Sequence, residues 1–463
     1  MKKRQYSINS ILYLGILFFL VILAYVLFKK VLSNTLSLKS LIVYVGTPSC
    51  FIVLFIYMLR MKDNVKINFI IVSCSLIVSL YFCESTLYYR DLSKSGIVPN
   101  AAAAKKNGKH FDTRTRLEIL SELNEKGIRS SLSFSPRQFT YMSKPGLIGG
   151  ITIDSKLIIP LGSVSHAVIP LDNEGGEWTY YNSDEYGFNN PKGLYEQGLD
   201  IVALGDSFIE GTGVTVDKNS VALIRKKCKK TLALGKSGNG PLAMLGTFRE
   251  YVKPLQPKIV LWYYYEENDL QDLKYERETQ LVKYMNKEYR QGLQMYQKEI
   301  DEKLLQYCVH VLSEKKKEAN DKRNYAVSLA PRVFIKNIFL LSRIRERLTL
   351  KENPFKEKLP LCKQILEQIK DSTDAWGGKL YVVYLPAHAS FIKDLTQQQR
   401  DTLFNRKEVL NCLASLKIPV IDVYEAFKTQ GDPLSNFPFR LRNHYNERGY
   451  QIVADEIIKE LQL

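Results

Sequence analysis

The chain has little of what metal and nucleotide sites are built from. Only 5 of its 463 residues are histidine, and its 7 cysteines lack the paired spacing of a zinc site. It has no glycine-rich phosphate loop with its lysine. The sequence therefore predicts no metal and no cofactor. Three cysteines fall in an apolar N-terminal part, and the other four, Cys228, Cys308, Cys362 and Cys412, suit either core positions or disulfides.

Charged residues are absent from three long stretches near the N-terminus, Ile11 to Phe28, Leu41 to Leu59 and Ile67 to Cys83. Each is about long enough to cross a hydrocarbon core of roughly 30 Å as a helix. A cleaved signal peptide would explain the first stretch but not the other two. The pattern predicts three membrane spans, so that residues 1–92 form a membrane anchor.

Basic residues next to these stretches suggest an orientation. Six basic residues lie before the first stretch or between the second and third: Lys2, Lys3, Arg4, Arg60, Lys62 and Lys66. The loop between the first and second stretches has three: Lys29, Lys30 and Lys39. Because basic residues favour the cytoplasmic side, the N-terminus is expected inside. With three crossings, the C-terminal part would then lie outside the cytoplasm.

The whole chain is basic, with 65 Lys and Arg against 48 Asp and Glu and a formal net charge of +17. Such an excess is typical of proteins that meet nucleic acid, an anionic membrane surface or an acidic polymer. No nucleic-acid-binding module is recognisable in the sequence. We therefore expect no nucleic-acid partner and favour the membrane and an anionic polymer.

Composition changes again after the apolar part. The stretch from Ser93 to Lys109 has the composition of an exposed linker, and Thr113 to Lys126 has helical spacing. Short β-type runs then fill Ser130 to Tyr181, which predicts a small β-rich accessory region, so that residues 93–185 form linker and accessory region. Residues 186–463 form the main domain, with a lysine- and glutamate-rich helical insertion at about 271–351.

The main domain is organised around an apolar run that ends in Gly205-Asp206-Ser207. Such a run followed by glycine and two capping residues predicts a buried parallel strand, a tight turn and a helix N-terminus. Ser207 would then lie at the carboxyl end of the sheet, where ligands bind and where a helix N-terminus offers N–H groups to an oxyanion. The alternative is that Asp206 and Ser207 only cap the helix.

Three later strands also end in polar or glycine-containing loops. The run that starts at Thr231 ends in Ser237-Gly238, Ile259 to Tyr265 is followed by Asn268-Asp269, and a late strand over Ile418 to Val423 precedes His444. Four strand ends thus carry Ser, Gly, Asn and His, in that order along the chain. In this order and spacing the residues resemble the SGNH (GDSL-type) hydrolase family over roughly Tyr186 to the C-terminus.

The resemblance implies a flavodoxin-like three-layer α/β/α fold with a parallel sheet. It also implies that Ser207 attacks an ester carbonyl while His444 acts as general base. The N–H groups of Ser207 and Gly238 and the side-chain amide of Asn268 would bind the oxyanion. His388, after the strand that ends at Tyr384, is expected to be a loop residue and not a second base.

Two positions depart from the family pattern. The family usually has an aspartate two or three residues before the histidine, where this chain has Leu441 and Arg442. A backbone carbonyl, Asp422 or Asp432 would then have to orient His444. The second departure is Glu267, which stands where many members have glycine and would add negative charge beside the oxyanion site.

The resulting leading hypothesis is a membrane-anchored serine esterase or O-acyltransferase that acts on a cell-envelope polysaccharide, with acetyl as the acyl group. If it transfers acetyl, a multi-span membrane acyltransferase is an expected partner, since three spans are too few to import an acyl donor. One alternative is a glycan-binding or assembly protein with a degenerate site, supported by the missing acid and by Glu267. A lipase acting on the adjacent bilayer is a third possibility.

Overall fold

The computed structural model describes residues 2–28, 42–92, 97–139, 149–320, 355–392 and 405–463, with single residues at 338, 341 and 344. The chain divides into two compact units. One comprises residues 1–95 and 321–353, and the other comprises residues 96–320 and 354–463.

The first unit contains three apolar helices: α1 (Lys2–Val26), α2 (Thr47–Met58) and α3 (Asp63–Leu92). Helices α1 and α2 pack closely at Gly15, where a Cβ atom would lie 2.2 Å from the ring of Phe55. Phe19 of α1 stacks on Phe51 of α2 with ring centroids 4.8 Å apart. Aromatic packing against a glycine therefore holds these two helices together.

Two of these helices are long and apolar enough to cross a membrane: Ile8–Val26 within α1, with 19 residues, and Asp63–Leu87 within α3, with 25 residues. The prediction of three spans is wrong for the described residues. A π-helical turn, Ile42–Gly46, leads into α2, and Pro48 near its start suits a helix N-terminus. Helix α2 has 12 residues, too few for the roughly 20 that a crossing needs. The basic residues Lys29, Lys30 and Lys39 lie outside the described residues.

The second unit contains a parallel sheet and two short antiparallel ribbons. The strands are β1 (Ile151–Ile153), β2 (Lys156–Ile158), β3 (Val168–Pro170), β4 (Tyr180–Asn182), β5 (Ile201–Gly205), β6 (Thr231–Gly235), β7 (Ile259–Tyr265), β8 (Lys379–Leu385) and β9 (Val420–Asp422). The helices are α4 (Ile97–Lys106), α5 (Arg116–Glu125), α6 (Ser207–Glu210), α7 (Ser220–Arg225), α8 (Pro241–Thr247), α9 (Asp269–Glu276), α10 (Gln297–Asn320), α11 (Phe355–Ala375), α12 (Arg406–Ser415), α13 (Val423–Lys428) and α14 (Glu447–Leu461).

The sheet has five strands in the order β6-β5-β7-β8-β9, all parallel. Numbered along the chain this is the 2-1-3-4-5 order of flavodoxin-like folds. Strands β5 and β6 are buried throughout, as expected for apolar strands covered on both faces. The predicted α/β class with a parallel sheet is confirmed.

Alternate strand residues point into two separate cores. Val202 and Leu204 belong to the core packed by helices such as α8 and α11, whereas Ile201 and Ala203 belong to the core packed by α7 and α14. Helices therefore cover both faces of the sheet, which gives three layers. The carboxyl ends of the parallel strands lie along one edge of this sandwich, and the polar loops predicted from the sequence follow there.

The residues before the sheet are more ordered than a linker. Where the sequence predicts an exposed linker over Ser93 to Lys109, the structure has helix α4, because a run of alanines favours helix. Ala104 is fully buried, and Asn100 exchanges side-chain amide hydrogen bonds of 3.1 and 3.2 Å with Asn443. Ribbons β1–β2 and β3–β4 fill the region that the sequence predicts to be β-rich.

The cysteines are all free thiols, and Cys308 and Cys362 lie in the core. Of the predicted helical insertion, the described part contains α9, two short 3₁₀ helices (Gln280–Met285 and Leu293–Tyr296) and α10. Apart from its single residues 338, 341 and 344, the remainder to residue 351 lies outside the described residues.

Candidate active site

The predicted nucleophile lies at the turn between β5 and α6. The carboxylate of Asp206 accepts a 3.0 Å hydrogen bond from the N–H of Phe208 and so caps the helix, as the capping interpretation expected. Gly205 leaves no room for a side chain, since a Cβ there would lie 2.7 Å from Ile209. Ser207 is the first helical residue and is 7% exposed. Its hydroxyl is therefore held at the carboxyl edge of the sheet.

His444 reaches this hydroxyl from a loop more than two hundred residues later in the chain. Its Nε2 lies 2.7 Å from the Oγ of Ser207. The loop is fixed by the start of α14, where the side chain of Asn446 accepts a 3.1 Å hydrogen bond from the N–H of Gly449. The ring of Phe208 packs against the imidazole with centroids 4.9 Å apart. The nucleophile and base predicted from sequence are thus in contact.

The acid that faces His444 is Glu174. Its carboxylate lies 2.9 and 3.0 Å from Nδ1 and also accepts a 2.8 Å hydrogen bond from the backbone N–H of His444. Burial by itself would lower the pKa of His444, but the negative charge and hydrogen bond of Glu174 raise that pKa to about 9. Ser207, His444 and Glu174 therefore form a continuous hydrogen-bonded chain with the geometry of a catalytic triad.

Glu174 is held at the tip of the β3–β4 hairpin by the side chain of Asp172. One Asp172 oxygen accepts from the N–H of Glu174 at 2.9 Å, and the other accepts from the N–H of Gly213 and the hydroxyl of Thr179, both at 2.9 Å. Gly213 has φ +96°, and a Cβ there would lie 3.3 Å from the Cβ of His444. Asp172 thus joins the tip of the β3–β4 hairpin, which carries Glu174, to the loop that follows α6.

A segment before the ribbon fixes the other side of the hairpin tip. Asn173 donates a 2.6 Å hydrogen bond to the carbonyl of Asp112, and Asp112 donates its N–H to the carbonyl of Gly176 at 2.7 Å. Gly176 has φ +110° and approaches the carbonyl of His110 so closely that a Cβ would lie 2.8 Å away. Hydrogen bonds therefore hold the hairpin tip that carries Glu174 from two sides, through Asp172 and through Asp112.

The partners that the sequence suggested for His444 have other roles. Asp422 forms an ion pair with Arg406, and Asp432 forms one with Arg440. The Nδ1 atom faces a carboxylate and not a backbone carbonyl. Sequence analysis missed Glu174 because it lies 270 positions before His444 and belongs to no motif of its own.

The two departures from the family pattern neutralise each other. Glu267 forms an ion pair with Arg442 and accepts a 2.9 Å hydrogen bond from the hydroxyl of Tyr265. The side chain of Glu267 therefore faces the guanidinium of Arg442, and Arg442 stands where an aspartate was expected. The positive charge of Arg442 thus compensates the negative charge of Glu267.

The loop after β6 carries Gly238, whose N–H the sequence predicts to be an oxyanion donor. Gly238 has φ +79°, a conformation that glycine adopts at little cost. Among the described residues, no acceptor takes the N–H of Ser207 or of Gly238 in a hydrogen bond. Neither N–H group is therefore paired within the described residues, and their role as oxyanion donors stays a prediction.

A buried ion pair between Glu210 and Lys236 anchors this loop to the nucleophile helix. Both side chains are fully buried, and Lys236 also donates to Ser133 at 2.7 Å and to Tyr181 at 2.8 Å. The second Glu210 oxygen accepts from the N–H and the hydroxyl of Ser237, at 2.8 and 2.5 Å. Burial opposes ionisation, but Lys236 and these donors hold the pKa of Glu210 at about 2.

Asn268 lies at the site, but its amide is engaged. The Nδ2 atom is 3.3 Å from an oxygen of Asp206 and 3.1 Å from an oxygen of Asp272, and the Oδ1 atom has no hydrogen-bond partner. Two carboxylates fix this orientation, because an amide oxygen turned toward them would be repelled. Its predicted role as an oxyanion donor requires one of these N–H groups to turn to the substrate.

His388 takes no part in this arrangement. It begins a short 3₁₀ helix, His388–Phe391, and its Nε2 donates a 3.0 Å hydrogen bond to the carbonyl of Arg440. Burial lowers its pKa and keeps the ring neutral. Across the described residues, no three His, Cys, Asp or Glu side chains converge as metal ligands would.

Neither a protein-family model nor a curated protein sequence matches the chain. Solved structures do resemble it. One is a lipase/acylhydrolase from Enterococcus faecalis, with 13% identity, 57% of this chain and 95% of that chain covered, and a TM-score of 0.30. Another is a putative lipolytic protein of the G-D-S-L family from Desulfitobacterium hafniense DCB-2, with 11% identity, coverage of 56% and 98%, and a TM-score of 0.31. A third is the acetyl xylan esterase AlAXEase, with 11% identity, coverage of 57% and 100%, and a TM-score of 0.32.

Proposed function

We propose that the chain is a membrane-anchored serine esterase or O-acyltransferase that acts on a cell-envelope glycan through an acyl-serine intermediate. The observation that carries the proposal is the chain of contacts from Ser207 to Glu174. Oγ lies 2.7 Å from Nε2 of His444, and Nδ1 of the same ring lies 2.9 Å from the carboxylate. These are the distances over which a general base activates a serine hydroxyl.

In the acylation step, Oγ of Ser207 attacks the ester carbonyl while Nε2 of His444 removes the hydroxyl proton. The negative charge that develops on the carbonyl oxygen is stabilised by the N–H groups of Ser207 and Gly238, and by Asn268 if its amide turns. The tetrahedral intermediate then collapses, the bond to the alcohol breaks, and His444 returns the proton to the departing oxygen. Glu174 holds the ring and stabilises the imidazolium throughout.

In the second step, His444 removes a proton from an acceptor hydroxyl that attacks the acyl-serine. Water as acceptor gives hydrolysis, and a sugar hydroxyl gives acyl transfer. Both outcomes use the same residues. We propose acetyl as the acyl group, and a multi-span membrane acyltransferase as the donor partner if the reaction is transfer.

The membrane anchor is proposed from α1 and α3, which are long and apolar enough to cross a bilayer. With two crossings, both ends of the chain lie on the same side. A cytoplasmic N-terminus together with an extracytoplasmic α/β unit, as basic residues suggested, would require a third crossing. We propose the extracytoplasmic placement of the α/β unit because an envelope glycan is accessible there.

The alternative of a degenerate glycan-binding protein loses its main support. It was based on the missing acid and on the charge of Glu267. Glu174 supplies an acid at 2.9 Å, and Arg442 pairs with Glu267. The engaged amide of Asn268 is the remaining contact that fits a purely binding role.

The test is labelling of the full-length detergent-solubilised protein with a fluorophosphonate probe, which transfers its phosphonyl group to an activated serine and releases fluoride. We expect labelling of the wild type and its loss in Ser207→Ala and His444→Ala. Ser415→Ala is the matched control, because Ser415 only donates a 2.7 Å hydrogen bond to a backbone carbonyl on α12. No labelling of folded wild-type protein would contradict the proposal, and a preference for long-chain over acetyl esters would favour the lipase.

A further inference from the structure

The α/β unit has a cleft of about 490 Å³, lined by residues from the three segments 180–182, 189–191 and 216–226. We name it the edge cleft, because Asn190 and Arg225 in its lining form hydrogen bonds to β6, the edge strand of the sheet. Neither Ser207 nor His444 is part of the lining. Its size is typical of sites for small molecules, so the cleft is a candidate binding site distinct from the triad.

Arg225, the last residue of α7, brings a positive charge to the wall of the edge cleft. Its Nε donates a 2.9 Å hydrogen bond to the carbonyl of Thr231, and its Nη2 donates a 2.8 Å hydrogen bond to Oδ1 of Asn190. Among the described residues, no carboxylate forms an ion pair with this guanidinium, and Nη1 has no hydrogen-bond partner. Because a guanidinium has five N–H donors, Arg225 is held by two of them and has others for a ligand.

The carboxylate that acts on Arg225 is Asp184, which lies behind an intervening amide. Asn190 donates a 2.8 Å hydrogen bond to Asp184 from Nδ2 and accepts the one from Arg225 at Oδ1, so its side chain separates the two charges. Partial burial lowers the pKa of Arg225 to about 10, although the charge of Asp184 opposes this effect. A half-buried charge without a direct counter-charge is unfavourable, and an anion in the edge cleft would offset that cost.

The other charges of the edge cleft leave it positive. Lys226 and Asp217 also line it, so that two cationic side chains face one carboxylate. Asp217 accepts a 2.7 Å hydrogen bond from the hydroxyl of Thr215, which lowers its pKa and keeps it ionised. Beyond the lining, residues 226–230 contain four exposed lysines. The potential at Arg225 therefore favours a negatively charged ligand.

We propose that the edge cleft binds an anionic sugar whose carboxylate or phosphate group pairs with Arg225. A guanidinium presents N–H donors in a plane that matches the oxygens of either group. Pro191 and Val216 add apolar surface, and the exposed amide of Asn182 has no hydrogen-bond partner among the described residues, which suits the CH and OH groups of a sugar ring. The choice of a sugar rests on the proposed glycan substrate, whereas the anionic group does not, since the triad lies elsewhere.

The test is a ligand-observed NMR titration of the full-length protein in a non-ionic detergent. The three probes differ only at C6 of the sugar: methyl glucoside, methyl glucuronoside and methyl glucoside 6-phosphate. We expect at least one of the two anionic probes to bind roughly 10- to 100-fold more tightly than methyl glucoside, and added salt to weaken its binding. The tighter of the two identifies the anion as carboxylate or phosphate. Equal binding of all three probes, or binding of none, would overturn the proposal.

Two charge reversals locate the binding site. Lys226→Glu places a second carboxylate in the edge cleft and should weaken binding of the anionic probe about 10-fold or more. Lys226 is exposed and forms no ion pair among the described residues, so its replacement leaves the fold intact. Lys407→Glu is the matched control, an exposed lysine on α12, which packs on the other face of the sheet from α7. Equal weakening by both variants would assign the effect to net charge and refute the site.

Arg225→Gln tests the guanidinium itself and should reduce binding of the anionic probe to that of methyl glucoside. Because this change also removes the hydrogen bonds to Thr231 and Asn190, its fold is checked by circular dichroism. Unchanged binding of the anionic probe by folded Arg225→Gln would refute the inference, and Lys226→Glu decides if that variant does not fold. Absence of serine labelling by the fluorophosphonate would contradict the proposed esterase without changing this titration, so the two failures are distinguishable.

Discussion

The two ring nitrogens of His444 have different partners, and this determines the tautomer in which the ring acts. When Nδ1 donates its hydrogen to Glu174, the lone pair of Nε2 faces the hydroxyl of Ser207. The same carboxylate raises the pKa of the ring because its negative charge stabilises the protonated imidazole. At the scale of single residues, Glu174 therefore sets both the orientation and the basicity of the base.

Replacing Glu174 with glutamine should lower kcat on the order of 10⁴-fold, since the amide can orient the ring in the wrong tautomer. The pH dependence should change as well. His444 must be neutral to accept a proton, so the activity of the wild type rises as pH passes upward through its raised pKa. Without the carboxylate this pKa falls, and the rising limb of kcat/KM should shift to lower pH. A pH–rate profile with phenyl acetate measures both effects.

Glu177→Gln is the control on the same hairpin tip. Glu177 is exposed and pairs with His110 at 2.6 Å, away from His444. Its replacement should leave the profile unchanged. An unshifted profile in Glu174→Gln with full activity would show that Glu174 is not the acid.

Gly238→Ala should reduce kcat about 100-fold or more, because the loop that presents an oxyanion donor would have to move. The φ of +79° is unfavourable for alanine, and the new Cβ would meet Arg137 at 2.7 Å. Gly193→Ala separates the two causes, since Gly193 has φ +78° and nothing within 4 Å of its Cβ position. Steady-state kinetics with phenyl acetate measure kcat of both variants. A comparable loss of kcat in both would refute a specific role for the Gly238 loop.

At the scale of elements, the site is assembled from loops that no single motif encodes. Helix α6 contacts the loop of Gly238 through Glu210, and the loop after α6 contacts the β3–β4 hairpin through the hydrogen bond from Gly213 to Asp172. Lys236 ties both to Tyr181 on β4. The ribbon before the sheet is therefore part of the active site, although the chain order places it outside the α/β pattern.

Lys236→Met should destabilise the α/β unit by about 3–5 kcal/mol, because it leaves the Glu210 carboxylate buried without its counter-charge. Adding Glu210→Gln should recover part of this loss. Lys370→Met removes the Lys370–Asp374 pair at the surface and should cost much less stability, because solvent screens that pair. Urea unfolding followed by tryptophan fluorescence reports on this unit, since Trp178, Trp262 and Trp376 all belong to it. Equal costs for the two lysine variants would contradict the prediction.

At the scale of the whole molecule, an apolar unit and an α/β unit share one chain. If these helices cross a membrane, the number of crossings decides on which side of it the α/β unit lies. Among the described helices, α1 and α3 are long and apolar enough for a crossing. The location of the active site therefore depends on a feature far from it in sequence.

We expect a cysteine introduced at Lys459, on an exposed face of α14, to react with a membrane-impermeant maleimide in intact cells, in a chain whose own cysteines are replaced. A second cysteine at Lys2 reports the number of crossings: labelling at both positions indicates two, and labelling at Lys459 alone indicates three. Reaction of Lys459→Cys only after lysis would contradict the extracytoplasmic placement.

The amino-acid sequence by itself determined much of the α/β fold and indicated two of the three residues of the candidate triad, Ser207 and His444. Continuous apolar runs such as Ile259 to Tyr265 are typical of strands buried on both faces, and β7 has those bounds. Because parallel strands end at one edge, the loops that carry Ser207, Gly238 and Asn268 follow the same edge of the sheet. The alanine run of α4 was misjudged as a linker, since flanking Gly, Pro and Lys outweighed its local helix preference.

Only the tertiary structure decided which carboxylate faces His444 and which basic residue pairs with Glu267. Asp422, Asp432 and Glu174 are equally plausible acids in a sequence, and the choice among them depends on which loops pack against His444. Likewise, Glu267 is an unfavourable charge until Arg442 is placed beside it. Strand periodicity is a local property that the order of residues encodes, whereas hydrogen bonds and ion pairs act over about 3 Å between residues that the chain separates by hundreds of positions.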